Sequence, residues 1–119
     1  MNPETTAMPI IAAIQMVSGP QVAENLAAAA ERLAQAADRG AQLAVLPENF
    51  ALMGRQESDK LAVREAEGAG PIQDFLAEQA ARHRLWLVGG TIPLHAPGEE
   101  HRVRAACLLY DEHGQQVAR

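Results

Sequence analysis

The stretch from Ile10 to Leu46, IIAAIQMVSGPQVAENLAAAAERLAQAADRGAQLAVL, decides the fold. Its opening, Ile10 to Met16, is an apolar run of strand length, closed by the turn residues Ser18-Gly19-Pro20. From Gln21 to Arg39 the apolar residues Val22, Leu26, Ala29, Ala30, Leu33 and Ala37 recur at three- and four-residue steps. That spacing places them on one stripe of an amphipathic helix. Pro20 suits the first turn of this helix and Gly40 its C-terminal cap. Leu43 to Leu46 follows as a second buried strand, ended by Pro47. Strand, helix and strand with short joints make a βαβ unit, whose two strands run parallel.

The pattern then repeats. Ala51 to Glu67 carries a charged stretch from Arg55 that reads as loop plus a short exposed helix, and Gly68-Ala69-Gly70-Pro71 resets the chain. Ile72, Phe75, Leu76, Ala80 and His83 share a face of a second packed helix, Pro71 to Arg84, and Trp86 to Ile92 reads as a third strand. Pro93 to His101 is expected to be a polar loop and Arg102 to Tyr110 a fourth strand. Asp111 to Gly114 then forms a hairpin turn leading to Gln115–Arg119. The fold class is α/β, with βαβ units followed by an antiparallel hairpin. Residues 1–8 form a polar leader and residues 9–119 the domain.

Composition narrows the function. Alanine supplies 24 of the 119 residues, so the 48% hydrophobic fraction overstates the apolar area available for burial, and one sheet face is expected to need a further covering surface. No apolar run approaches the roughly 18 to 20 residues that cross a bilayer, and the leader lacks a basic region, so a cytoplasmic protein with no membrane partner is expected. The formal net charge of -5 and the scatter of the basic residues argue against nucleic acid as a partner. A single cysteine, Cys107, excludes an intramolecular disulfide and a four-thiolate zinc site.

Among candidate site residues, Glu48 is the sharpest. It follows the C-terminal end of a parallel strand, where open α/β sheets gather ligand and catalytic groups. With Phe50, Leu52 and Met53 nearby it would be partly desolvated, the condition a general base near neutral pH requires, and Phe50 and Met53 are candidates to line a substrate pocket. The competing reading is a loop glutamate that caps a helix or pairs with an arginine. Cys107 alternates with Val103, Ala105 and Leu109, which places it inside as a small hydrophobe and not as a nucleophile. Lys60 reads as solvated. His83, His95, His101 and His113 lack metal-ligand spacing. A weak site around His95, Glu99, Glu100 and His101 is conceivable, but no metal or cofactor is expected. Gly89-Gly90 and Ser18-Gly19-Pro20 read as ordinary turns and not as phosphate-binding loops.

Taken together, Ile10 to Met16, Asn25-Leu26, and the run Gly40 to Phe50 containing Leu46-Pro47-Glu48 resemble the N-terminal part of the nitrilase superfamily, the carbon-nitrogen hydrolases. Leu85 to Ile92 and Tyr110 to Gly114 are similar to that family's next strand and hairpin, and Pro47 to Gly54 resembles its branch acting on ω-amides such as deaminated glutathione. The resemblance implies an αββα sandwich and a Glu-Lys-Cys triad in which a thiolate attacks the amide carbonyl, with Glu48 as general base. It also implies a small-molecule amide substrate and homo-oligomers. Neither Lys60 nor Cys107 matches the family's lysine or cysteine in place. The chain is therefore expected to be an incomplete domain, roughly the first 40 to 45% on the size of a one-sandwich enzyme, and inactive alone. The alternative from a different class is a non-enzymatic α/β binding or assembly module.

Overall fold

The computed structural model describes residues 8–119; positions 1–7 of the expected leader lie outside them. The elements run β1 (Ile11–Ala13), α1 (Val22–Asp38), β2 (Leu43–Val45), α2 (Asp59–Val63), α3 (Pro71–His83), β3 (Trp86–Val88), β4 (Ile92–His95), β5 (Val103–Ala106), β6 (Leu109–Tyr110) and β7 (Gln116–Ala118). The main sheet has the order β1-β2-β3-β6-β7, and β4-β5 form a separate two-stranded sheet. β1, β2 and β3 are parallel, while β6 and β7 join antiparallel, so both expected βαβ units and the hairpin are present.

Register explains which residues form the core. Ala12, Ala44, Leu87 and Tyr110 lie opposite one another across four strands, and Ala44, Leu87 and Tyr110 are buried in one cluster with Ala29 and Leu33 of α1 and Ile72 and Leu76 of α3. The two helices pack on each other over this face. The alternate residues, Ile11, Leu43 and Trp86 in one row and Ala13, Val45, Val88 and Leu109 in the next, point to the other face. That face stays partly open, with Ile11 63% exposed and Trp86 39% exposed. In β1 and β2 the helix side carries the small residues Ala12 and Ala44 while the larger Ile11, Leu43 and Val45 face away, so apolar groups remain partly uncovered on the outer face.

Local signals place α1 and α3 closely. Gly40 follows α1 at φ +85, accepting the left-handed turn after the cap, but Pro20 lies one residue ahead of the N-cap Gln21 and so outside the first turn. α3 opens on Pro71. Its first turn is capped from outside by Glu65, 6% exposed, whose carboxylate accepts the N–H of Ile72 at 2.6 Å, the N–H of Gln73 at 3.0 Å and the side-chain amide of Gln73 at 3.1 Å. A buried carboxylate is tolerable there because helix N-terminal donors neutralise its lone pairs. The expected loop and short helix after Ala51 are also found, α2 being exposed or half-exposed throughout.

Three expectations fail in the region after α3. The strand expected from Trp86 to Ile92 stops at Val88, because Gly90 takes φ +61 and turns the chain out of the main sheet. The expected polar loop from Pro93 instead begins with β4, whose Ile92, Pro93 and Leu94 are buried. The strand expected from Arg102 to Tyr110 is two strands, β5 in the small sheet and β6 in the main one, with the crossing at Cys107-Leu108. Ala106, Leu108 and Tyr110 are therefore the inward residues and Cys107 is exposed, the reverse of the expected face. Two-residue alternation specifies that faces differ, and the position of the covering helices specifies which one is inside.

Candidate active site

β2 delivers the chain to Leu46, whose N–H donates to the Val88 carbonyl at 2.9 Å, and Pro47 then ends the strand. Glu48 follows at its C-terminal end, in a turn over residues 48–51 in which Asn49 takes φ 55. The side chain of Glu48 is exposed. The partial desolvation expected for it is not found in this chain, because Phe50, Ala51 and Leu52 all turn into the core and leave Met53 as the apolar neighbour at the surface. Phe50 has no exposed area and packs on Phe75 with ring centroids 6.3 Å apart, so it supports the loop from below. Met53, 50% exposed, lines a cleft of about 300 Å³ with Asn49, Gly54, Arg55, Glu57 and Lys60.

The turn bearing Glu48 is held residue by residue by side chains from three separate segments. Thr91 Oγ1 accepts the Asn49 N–H at 2.9 Å. Ser18 Oγ donates to the Phe50 carbonyl at 2.6 Å. Asn25 Nδ2 donates to the Ala51 carbonyl at 2.8 Å and to the Gly19 carbonyl at 2.8 Å, while its Oδ1 accepts the Gly19 N–H at 2.9 Å. The Gly19 carbonyl also accepts the Met53 N–H at 3.0 Å. Gly90 completes the enclosure: a Cβ there would overlap the Pro47 carbonyl oxygen. The loops after β1, β2 and β3 are thus cross-linked where the three parallel strands end, the place at which open α/β sheets hold their reactive groups.

Asn25, Ser18, Thr91 and Gly90 were not among the expected site residues. A signal for Asn25 is present in the sequence, since it lies four residues before Ala29 on the apolar stripe of α1, and a primary amide on a buried stripe must find hydrogen-bond partners. The bonds from Ser18 and Thr91 span 32 and 42 residues and carry no local pattern. Lys60 borders the cleft beside Asn49, whereas Cys107 lines a different one with Leu94, Arg104 and Arg119. His95, Glu99, Glu100 and His101 do not converge on a metal site among the described residues. None of the described helices is long and apolar enough to cross a membrane.

Comparison with known proteins matches residues 10–119 to the carbon-nitrogen hydrolase family. The chain belongs to that family. This carbon-nitrogen hydrolase chain is 36% identical over 110 residues to the deaminated glutathione amidase of a Synechocystis species, covering 92% of the present chain and 40% of that protein. It superposes on the crystal structure of an amidase from a Nesterenkonia species with a TM-score of 0.74 at 29% identity, covering 91% of this chain and 40% of the other. The nitrilase-superfamily protein Nit3 of Saccharomyces cerevisiae shares the fold with a TM-score of 0.79 at 24% identity, over 91% and 41% of the two chains. The carbon-nitrogen hydrolase chain spans about 40% of the length of the curated relatives it matches.

Proposed function

We propose that this chain carries the general base, Glu48, of a cysteine-dependent amidase that cleaves small ω-amides, and that the thiol and the oxyanion-stabilising lysine are supplied by residues outside these 119. The observation that carries this reading is the placement of Glu48 at the end of β2 in a turn held by three side chains, the next residue of which, Asn49, lines an open cleft of about 300 Å³. The similarity to deaminated glutathione amidases supports an ω-amide as substrate. Met53 lies against the apolar part of that substrate.

The chemistry follows from what an amide demands. A thiolate adds to the carbonyl carbon, a cation accepts the developing oxyanion charge, and the base moves a proton from the thiol to the departing nitrogen and later from water. Glu48 is exposed enough to receive and return protons without reorganising the core. Cys107, at the crossing between two sheets and on another cleft, is not assigned the attacking role, and Lys60 is assigned none in oxyanion binding.

One observation favours the second reading, a non-enzymatic assembly module: the apolar outer rows of the main sheet stay uncovered at Ile11 and Trp86. Translating the coding sequence past Arg119 separates the two. A lysine followed later by a cysteine supports the hydrolase, and an in-frame stop supports the module. In protein expressed from the complete coding sequence, Glu48→Gln is expected to lower kcat on an α-keto-ω-amide by about 10²- to 10⁴-fold. Wild-type turnover by this variant would refute the assignment.

A further inference from the structure

Asn25 is the most deeply committed polar side chain around the Glu48 turn. It is 4% exposed, and three of its four hydrogen-bonding positions are filled by backbone groups of two loops. The bonds close a circuit. From Asn25 it runs to the Gly19 carbonyl, on to the Met53 N–H, back along the chain to the Ala51 carbonyl, and so to Asn25 again. Ala51 and Glu48 are the two ends of one turn, so a clamp on the Ala51 carbonyl limits how far that turn, and Glu48 with it, can shift. Only a short primary amide satisfies this circuit, since it presents two donors and an acceptor from one rigid plane. Aspartate has no donor for the two carbonyls, and serine cannot span both loops. The mechanical base is also sound: α1 is anchored one turn further on by Ala29 and two turns on by Leu33, both fully buried.

We propose that Asn25 is a positioning residue for Glu48, acting through the Ala51 carbonyl to hold the carboxylate in its productive orientation. The proposal rests on the reading of Glu48 as general base. A base must reach its proton within hydrogen-bond distance, and a displacement of about 1 Å costs on the order of 10²-fold in rate. Losing the Asn25 amide frees the turn at one of its three holding points, so kcat should fall; KM can shift as well, because Met53 of the cleft wall is tied to the same circuit through the Gly19 carbonyl, and the coupling to Glu48 is what distinguishes the role.

The test is a double-mutant cycle in protein expressed from the complete coding sequence, assayed for ammonia release from α-ketoglutaramate. Asn25→Ala is expected to lower kcat about 10- to 100-fold. Leu33→Val, which thins the same helix interface away from the turn, should lower the unfolding midpoint and leave kcat intact. The decisive comparison is Asn25→Ala made in the Glu48→Gln background. A residue that acts through the Glu48 carboxylate has nothing left to position there, so the double variant should turn over at the rate of Glu48→Gln alone. A further tenfold loss in the double variant would overturn the proposal, as would an unchanged kcat in Asn25→Ala when Glu48→Gln is inactive. Full activity of Glu48→Gln itself would instead remove the base assignment on which the proposal rests. If Asn25→Ala does not fold, Asn25→Asp, which keeps the acceptor for the Gly19 N–H and loses both donors, is judged by the same double-variant criterion.

Discussion

Replacing Gly90 with alanine tests how tightly the end of β3 is pressed on the Glu48 loop. Two costs add at this position. The backbone holds φ +61, where a non-glycine residue costs roughly 1–2 kcal/mol. The new methyl would also overlap the Pro47 carbonyl oxygen and come within 3.0 Å of the Leu46 carbonyl oxygen. Those are backbone atoms of the strand that carries Glu48, so relief requires moving the strand end, at a further cost of about 1–3 kcal/mol. The total expected is about 2–5 kcal/mol, a large share of a marginal stability. Two other glycines separate the terms. Gly98 has φ +81 with open space around it, so Gly98→Ala should register the backbone cost alone. Gly89 has ordinary backbone, and its nearest obstruction is a Leu76 methyl at 2.7 Å, so Gly89→Ala should register only the cost of shifting a side chain. Urea unfolding of the four proteins, followed by circular dichroism, gives the differences directly. A Gly90→Ala variant no less stable than Gly98→Ala would show that the contact with Pro47 is slack and refute the reasoning.

Glu65 should matter more than a charged loop residue ordinarily does: Glu65→Ala strands the backbone N–H groups of Ile72 and Gln73, while the Gln73 side-chain amide keeps the Ala66 and Ala69 carbonyls, and a loss of about 2–5 kcal/mol is expected in the same urea assay, with less than 1 kcal/mol contradicting the capping role. Tyr110 gives a pH prediction. Burial first, and then the charges of Glu65 and Asp74, push its phenol from 10.0 up to about 12. A raised folded-state value means the stabilisation of the neutral phenol is intact below pH 10 and is lost as the pH rises toward 12. As the chain has one tyrosine, absorbance at the phenolate band should stay flat past the ordinary midpoint, and a transition near pH 10 in folded protein would refute this. The exposed Cys107 thiol should react fully with a chromogenic disulfide reagent in the native state, whereas reaction only in denaturant would restore the buried-strand expectation.

The sequence by itself determined the βαβ start, the second helix, the hairpin and the strand-end position of Glu48, because each depends on contacts between near neighbours. The α1 stripe is a helix repeat, Pro71 opens a helix because its missing N–H is not needed there, and Pro47 must end β2 because it cannot extend a ladder. Tertiary structure decided the rest. Alternation along Arg102 to Tyr110 was legible, yet the side facing the core was not, since that depends on α3 lying above β6 and on the chain changing sheets at Cys107. The same holds at the site. Glu48 was legible as a residue at a strand end, but its exposure, the burial of Phe50, and the clamps from Ser18, Asn25 and Thr91 were not. Hydrogen bonds that join residues dozens of positions apart leave no periodic trace in either partner, and they form only after packing has brought three strand ends together.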